Sequence, residues 1–339
     1  MDALEEPLIR ISGAGIRREH GELRAGEAGP VKANYRVVEL GMTPLEAFRA
    51  LCGACVQHLE GNRYGALTGD DPEYLHQMRV ALRRLRTVFG IFPGILPQAV
   101  SQKMLADLRW LRRALGDARD WDVFLAGTLK PALAQHRRHA GLRALRAASE
   151  ELSGRARAAA NRALESRRYY ALMRALRDLS YGDAPPPPVP SGAVRPLPMR
   201  RHALAAVAAL VGKARKRGRK LMRLDSEELH RLRKTVRRLR YGLLFLGPLL
   251  TQGRARPLAG AVEALQESLG ALNDCAVGRG LIERAGAEAR GPRRRNARKL
   301  LAKRLKAARA ARRDELGAQW EAFRAAEREW NYASPRISG

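Results

Sequence analysis

HQMRVALRRLR at 76–86 returns as HRLRKTVRRLR at 230–240, 154 residues later. Six of the eleven positions are identical, and five of those six are His or Arg. The same offset, without a gap, carries Pro44 onto Pro198, Arg63 onto Arg217, Asp71 onto Asp225 and Glu73 onto Glu227. It also carries Leu115-Gly116 onto Leu269-Gly270, Asp120 onto Asp274 and Val123 onto Val277. The chain therefore reads as one long unit duplicated in tandem. On a helical wheel of about 100° per residue each stretch splits into two stripes. Leu75, Met78, Leu82, Leu85 and Phe89 form a core stripe in the first copy, and Leu229, Leu232, Val236, Leu239 and Leu243 form one in the second. Beside them run His76, Arg79, Arg83 and Arg86, and likewise His230, Arg233, Arg237 and Arg240. Arg84 and Arg238 widen the charged stripes, and Lys234 joins in the second copy only.

Like charges one helical turn apart repel, and no carboxylate falls within either stretch to relieve them. A bound polyanion would relieve them, and the planar paired donors of Arg fit phosphate oxygens. A basic run can also be a solvated helix face. Such a face has no reason to keep its charges through a duplication better than its packing residues. The pattern thus points to a polymer of phosphates, held with a steep dependence on salt. Each His lies on the charged stripe and not the apolar one, with no second His one turn away to share a metal. A phosphate-facing donor whose proton affinity rises when an anion binds is the best reading.

Composition agrees. Ala, Leu and Arg dominate, aromatics make up 5%, and strand-forming patterns are missing, so the expected class is all-α. The formal charge of +30, from 64 basic against 34 acidic residues, implies a polyanionic partner. Three cysteines make no disulfide framework, and the N-terminus has neither a basic start nor an apolar run. A cytoplasmic protein with no membrane span is expected.

Residues 1–41 are polar, glycine-rich and aperiodic, and are expected to be a mobile tail. Thr43-Pro44-Leu45-Glu46 reads as a capped helix start, and Asp71-Pro72 as another. Further helices are expected over about 98–115, ending at Gly116, and over about 120–180. Residues 184–198, APPPPVPSGAVRPLP, form a stiff extended linker. The second copy repeats the order, at about 199–223, 226–246, 254–270 and 274–331, with an interruption near Gly291-Pro292. The expected architecture is two tandem four-helix bundles, at 42–183 and 199–331, with a C-terminal tail at 332–339.

The H-x-x-R-x-x-x-R-R-L-R helix, the LGDARDWDV segment at 115–123 and the duplicated layout resemble the CHAD domain, a conserved-histidine α-helical module. The resemblance covers about 43–331. It implies two four-helix bundles related by a pseudo-twofold, with a basic groove or pore between them that binds inorganic polyphosphate, and association with polyphosphate granules. The positions it carries over are His76, Arg79, Arg83, Arg84 and Arg86, and His230, Arg233, Lys234, Arg237, Arg238 and Arg240. Arg119 joins them from the 115–123 segment; the second copy has Asn273 there, in LGALNDCAV. Arg63, Arg217 and Lys220 are added because Arg63 and Arg217 match across the repeat and Lys220 belongs to the basic cluster around Arg217. The alternating glutamates before a lysine that mark the triphosphate-tunnel domain of many relatives do not occur, so no catalytic activity is carried over.

Asp120 and Asp274 are expected to cap a helix or to hold an Arg in place. Cys52, Cys55 and His58 lie along an apolar stripe with no fourth ligand in reach, so no metal or other cofactor is expected there or at His136 and His139. The basic run at 290–313 reads equally as a solvated face or as more anion surface. The expected function is non-enzymatic binding of inorganic polyphosphate. A general nucleic-acid binder is the alternative, disfavoured by scarce stacking aromatics. A His-phosphotransfer protein ranks third, because nothing forms a carboxylate cluster for Mg²⁺.

Overall fold

The computed structural model describes residues 29–32, 35, 37–182, 198–250, 252–289 and 294–333, and all regular structure among them is helical. The first half holds α1 (Pro44–Gly61), α2 (Arg63–Thr68), α3 (Pro72–Ile91), α4 (Gln98–Ala114), α5 (Gly116–Phe124), α6 (Lys130–Gln135), α7 (Ala140–Leu164) and α8 (Arg167–Tyr181). The second holds α9 (Met199–Gly218), α10 (Ser226–Leu246), α11 (Gln252–Glu288) and α12 (Arg294–Ala333).

The helix starts follow local chemistry. Thr43 and Glu46 exchange the two bonds of a capping box, with Pro44 at the first helical position. The Asp71 side chain accepts the Glu73 N–H at 2.8 Å, and Asp225 forms a full capping box with Glu228. Each cap sets the phase of a charged helix, so the core stripes of α3 and α10 point inward. Leu75, Met78, Leu82 and Leu85 are buried on the first, and Leu232, Val236, Leu239 and Leu243 on the second.

Several boundaries differ from expectation. The single segment expected over 120–180 is broken three times. A π-helical turn at Leu125–Leu129 precedes Pro131, whose missing N–H cannot bond back one turn. The chain then turns at His136–His139, where the His139 ring accepts the Leu142 N–H and caps α7, and again at Ser166, which caps α8. In the second half the reverse holds. Helix α11 runs unbroken through Gly270, where a stop was expected. A glycine costs a helix only about 1 kcal/mol. Burial of Leu258, Val262, Leu265, Leu269 and Leu272 along α11 outweighs that.

The expected tail is also corrected in part. Residues 1–28 lie outside the described residues, but Tyr35 and Val38 are buried in the core. The Tyr35 hydroxyl bonds His58 Nδ1 at 2.7 Å, and Asn62 Oδ1 accepts the Val31 N–H at 3.0 Å. Linker residues 184–197 lie outside the described residues, as do 334–339, while α12 occupies 332–333 of the expected C-terminal tail.

The halves do not stand apart as self-contained bundles. Helix α7 packs on α11 and α12, α5 on α11, and α3 on α10, and the buried side chains form one continuous core. Phe92 stacks on His202 across the halves at 4.7 Å, and Arg284 forks onto both Asp117 oxygens at 2.6 and 3.0 Å. This interlock brings the two charged helices side by side.

Candidate anion-binding site

Helices α3 and α10 run against each other, and α4 lies against α3. Between the three opens a groove of about 360 Å³. Arg83, Arg86 and Thr87 enter it from α3, Arg109 and Arg112 from α4, and His230, Arg233, Lys234, Arg237 and Arg238 from α10. No carboxylate belongs to its lining.

The repulsion anticipated from the sequence is visible in the proton affinities. Burial, followed by the charges of Arg233 and Arg83, pulls the Arg237 guanidinium down to about 9. Arg86 comes down to about 10, through burial and then Arg112, Arg238 and Arg109. Arg112, Arg233, Lys234 and Arg238 are lowered too, each by burial before any neighbouring charge. Arg237 and Arg86 stay protonated at neutral pH. What the shifts record is burial first, and then like charge gathered around the buried groups. The Nε donors of Arg83, Arg112 and Arg233 are buried and bond no protein acceptor. An unpaired buried donor is costly. A multivalent anion lying in the groove would satisfy donors from all three helices.

Carboxylates stand only at the groove's edges. Asp120 accepts Arg79 Nη2 at 3.5 Å, with Arg233 and Asp274 also close to it. This is the Arg-holding role expected of Asp120. Beyond Arg79, His76 sits among Arg119, Arg83 and Arg79; burial and then Arg119 bring its imidazole down to about 4. The His230 ring is shared with Asn273 at 3.3 Å, the residue that replaces Arg119 in the second copy. Next to the groove, a cavity of about 330 Å³ shares His230 and Arg233 with it and adds Arg309.

Not every residue chosen from the sequence faces this groove. Arg84 is half-buried, with its guanidinium 4.1 Å over the Tyr35 ring and 5.5 Å from the centre of Tyr241. Adjacent wheel positions put it beside the stripe, but the N-terminal segment folds over it, which no helical wheel contains. Arg63 is spent on the fold: it donates to the Leu164 carbonyl and the Tyr170 hydroxyl. Arg217 likewise donates to the Arg231 carbonyl at 3.1 Å and to Thr235 at 2.5 Å, tying α9 to α10, although its charge still reaches Arg238. Arg240 is paired with Glu263 of α11, a carboxylate that comes from outside the charged stretch. Lys220 is exposed at the end of α9 and lines neither cavity. In the C-terminal basic run, Arg298, Arg304, Arg312 and Arg313 bond Glu283, Gln135, Glu315 and the Met222 carbonyl. Cys52 and Cys55 are buried free thiols, and His58 is held between Tyr35 and Gln77.

The sequence reading missed Arg109 and Arg112. Their only signal is a basic pair three apart on α4, and the repeat hid it, since the same offset places Glu263 and Gln266 there.

A family model described as the CHAD domain matches residues 50–283, a span that includes both charged helices and α4. The chain belongs to the CHAD domain family. The CHAD domain from the plant Ricinus communis has a crystal structure that is 30% identical, with a TM-score of 0.73, over 88% of this chain and 98% of that one. PptA from Streptomyces chartreusis is 16% identical, with a TM-score of 0.58, over 85% of this chain and 100% of that one, a likeness of fold alone. No curated protein matches the chain. The CHAD match ends inside α11, so α12 is extra to the matched span.

Proposed function

We propose that this protein binds inorganic polyphosphate, without turning it over, in the groove between α3, α4 and α10, and that this binding brings it to polyphosphate granules. The observation that carries the reading is the groove itself. Arginines of three helices converge on a space with no carboxylate in its lining, and three of their Nε donors bond nothing in the protein. Membership of the CHAD family supports the same class of ligand. A linear chain of phosphates suits a groove of guanidiniums better than a stacked duplex does. Backbone charge is all the groove reads, and Arg84, the one groove-helix cation on aromatic rings, is packed inside. For turnover the groove offers Thr87, His230 and cations but no carboxylate base or Mg²⁺ ligand.

A competition titration tests this. Labelled long-chain polyphosphate should resist displacement by duplex DNA or RNA added at equal phosphate concentration. The double variant Arg83→Glu/Arg237→Glu should lose binding while keeping its helical circular dichroism. Equal competition by nucleic acid would replace the reading with a general polyanion binder. Undiminished affinity in the folded double variant would remove the groove as the site.

A further inference from the structure

A second basic concavity lies between α9 and α12, toward the C-terminal end of each. Its volume, about 880 Å³, is more than twice that of the groove, and the two linings share no residue. Arg215, Lys216 and Arg219 enter it from α9, and Arg324 and Arg328 from α12. Glu321 is the carboxylate in its lining.

The cleft is built rather than merely charged. Glu327, only 2% exposed, receives Arg215 at 3.4 Å and Arg324 at 3.1 Å. One buried carboxylate thereby fixes two guanidiniums, one from each wall. Trp320 is nearly buried and lies across Gly218, where a Cβ would stand 2.1 Å from the indole. Only glycine lets the walls approach so closely. Lys216, Arg219 and Arg328 are exposed and form no ion pair among the described residues. The carbonyl end of α9 favours cations near it, which accounts in part for Arg215 and Lys216. It does not account for Arg328, exposed on α12 one turn beyond the Arg324 that Glu327 already holds.

The geometry points to a second anion site, a cleft that takes a short run of several phosphates independently of the groove. Two fixed guanidinium forks and three unpaired cations suit a compact oligophosphate with charge on several centres. Trp320, Arg324 and Arg328 all lie beyond the 50–283 span matched by the CHAD family model, so α12 supplies half of this site. A chain with two such sites could hold two separate phosphate runs.

Calorimetric titration of the full chain with tripolyphosphate at low salt tests this without reference to the groove. The parent should bind two tripolyphosphates. Lys216→Glu/Arg219→Glu/Arg328→Glu should bind one, and Arg83→Glu/Arg237→Glu should also bind one, each with unchanged helical content. Arg138→Glu/Arg167→Glu/Arg174→Glu carries the same charge change on exposed positions elsewhere and should still bind two. A cleft variant that titrates like the parent, or no worse than that control, overturns the proposal. If the glutamate variant does not fold, Lys216→Gln/Arg219→Gln/Arg328→Gln makes the same distinction. Loss of binding in the groove variant alone would leave the groove standing and sink the cleft; the converse would do the reverse.

Discussion

His76 shows how one side chain inherits its behaviour from its surroundings. Burial first, and then the charge of Arg119, keep it near 4, so it is neutral at pH 7 without ligand. A phosphate oxygen beside it would favour the imidazolium, so anion binding should take up a proton. The affinity for polyphosphate should therefore rise as pH is lowered toward 4, and His76→Gln should flatten that rise. A pH series of binding isotherms checks this; identical profiles for the two proteins would show that the anion does not reach His76 beyond the groove's edge. Folding follows the opposite sign. His76 and His58 are both held near 4, against about 6.5 for the unfolded chain. Between those values the unfolded chain binds more protons, so stability falls as pH drops from 6.5 to 4.

At the scale of the element, α4 is what turns two charged helices into a groove. Arg109 and Arg112 close one side of it, whereas the corresponding positions of α11 are Glu263 and Gln266, and Glu263 neutralises Arg240. The cationic face is thus lopsided, strong on the first-half side and quenched on the other. Removing one charged hydrogen-bond donor costs about 1.5–3 kcal/mol, so Arg112→Ala should weaken polyphosphate binding about tenfold or more. Arg63→Ala should behave differently. It strips a cap from the Leu164 carbonyl and a contact from Tyr170, so it should lower the melting temperature and leave the affinity of the folded protein unchanged. Paired melting curves and isotherms separate the two effects. The helix starts at Thr43, Asp71 and Asp225 were legible because a cap is a local pattern of a few residues. The unbroken run of α11 through Gly270 was not, because the apolar surface that outweighs a glycine's cost comes from α12, α10 and α7.

Across the whole molecule, the halves share a core and exchange contacts from α3, α5 and α7 to α10, α11 and α12. The Asp117–Arg284 fork and the Phe92–His202 stack tie one half to the other. Unfolding should accordingly be one cooperative transition, with calorimetric and van't Hoff enthalpies in agreement. Two resolved transitions would mean that each half carries a core of its own. The same interlock sets the distance between the charged stripes, so the groove exists only in the assembled molecule. Among the described residues no helix is long and apolar enough to cross a membrane.

The sequence by itself determined the helical class and the positions of the two His and Arg stripes. Both rest on spacing along one chain, which a wheel and an offset can read. Only the tertiary structure decided which cations face one another. Arg84 is drawn under Tyr35, Arg240 is silenced by Glu263, and Arg109 and Arg112 are brought in from a helix whose charges the repeat does not preserve. Whether a guanidinium is free to meet an anion depends on what packs against it from distant parts of the chain, and helical periodicity holds no record of that.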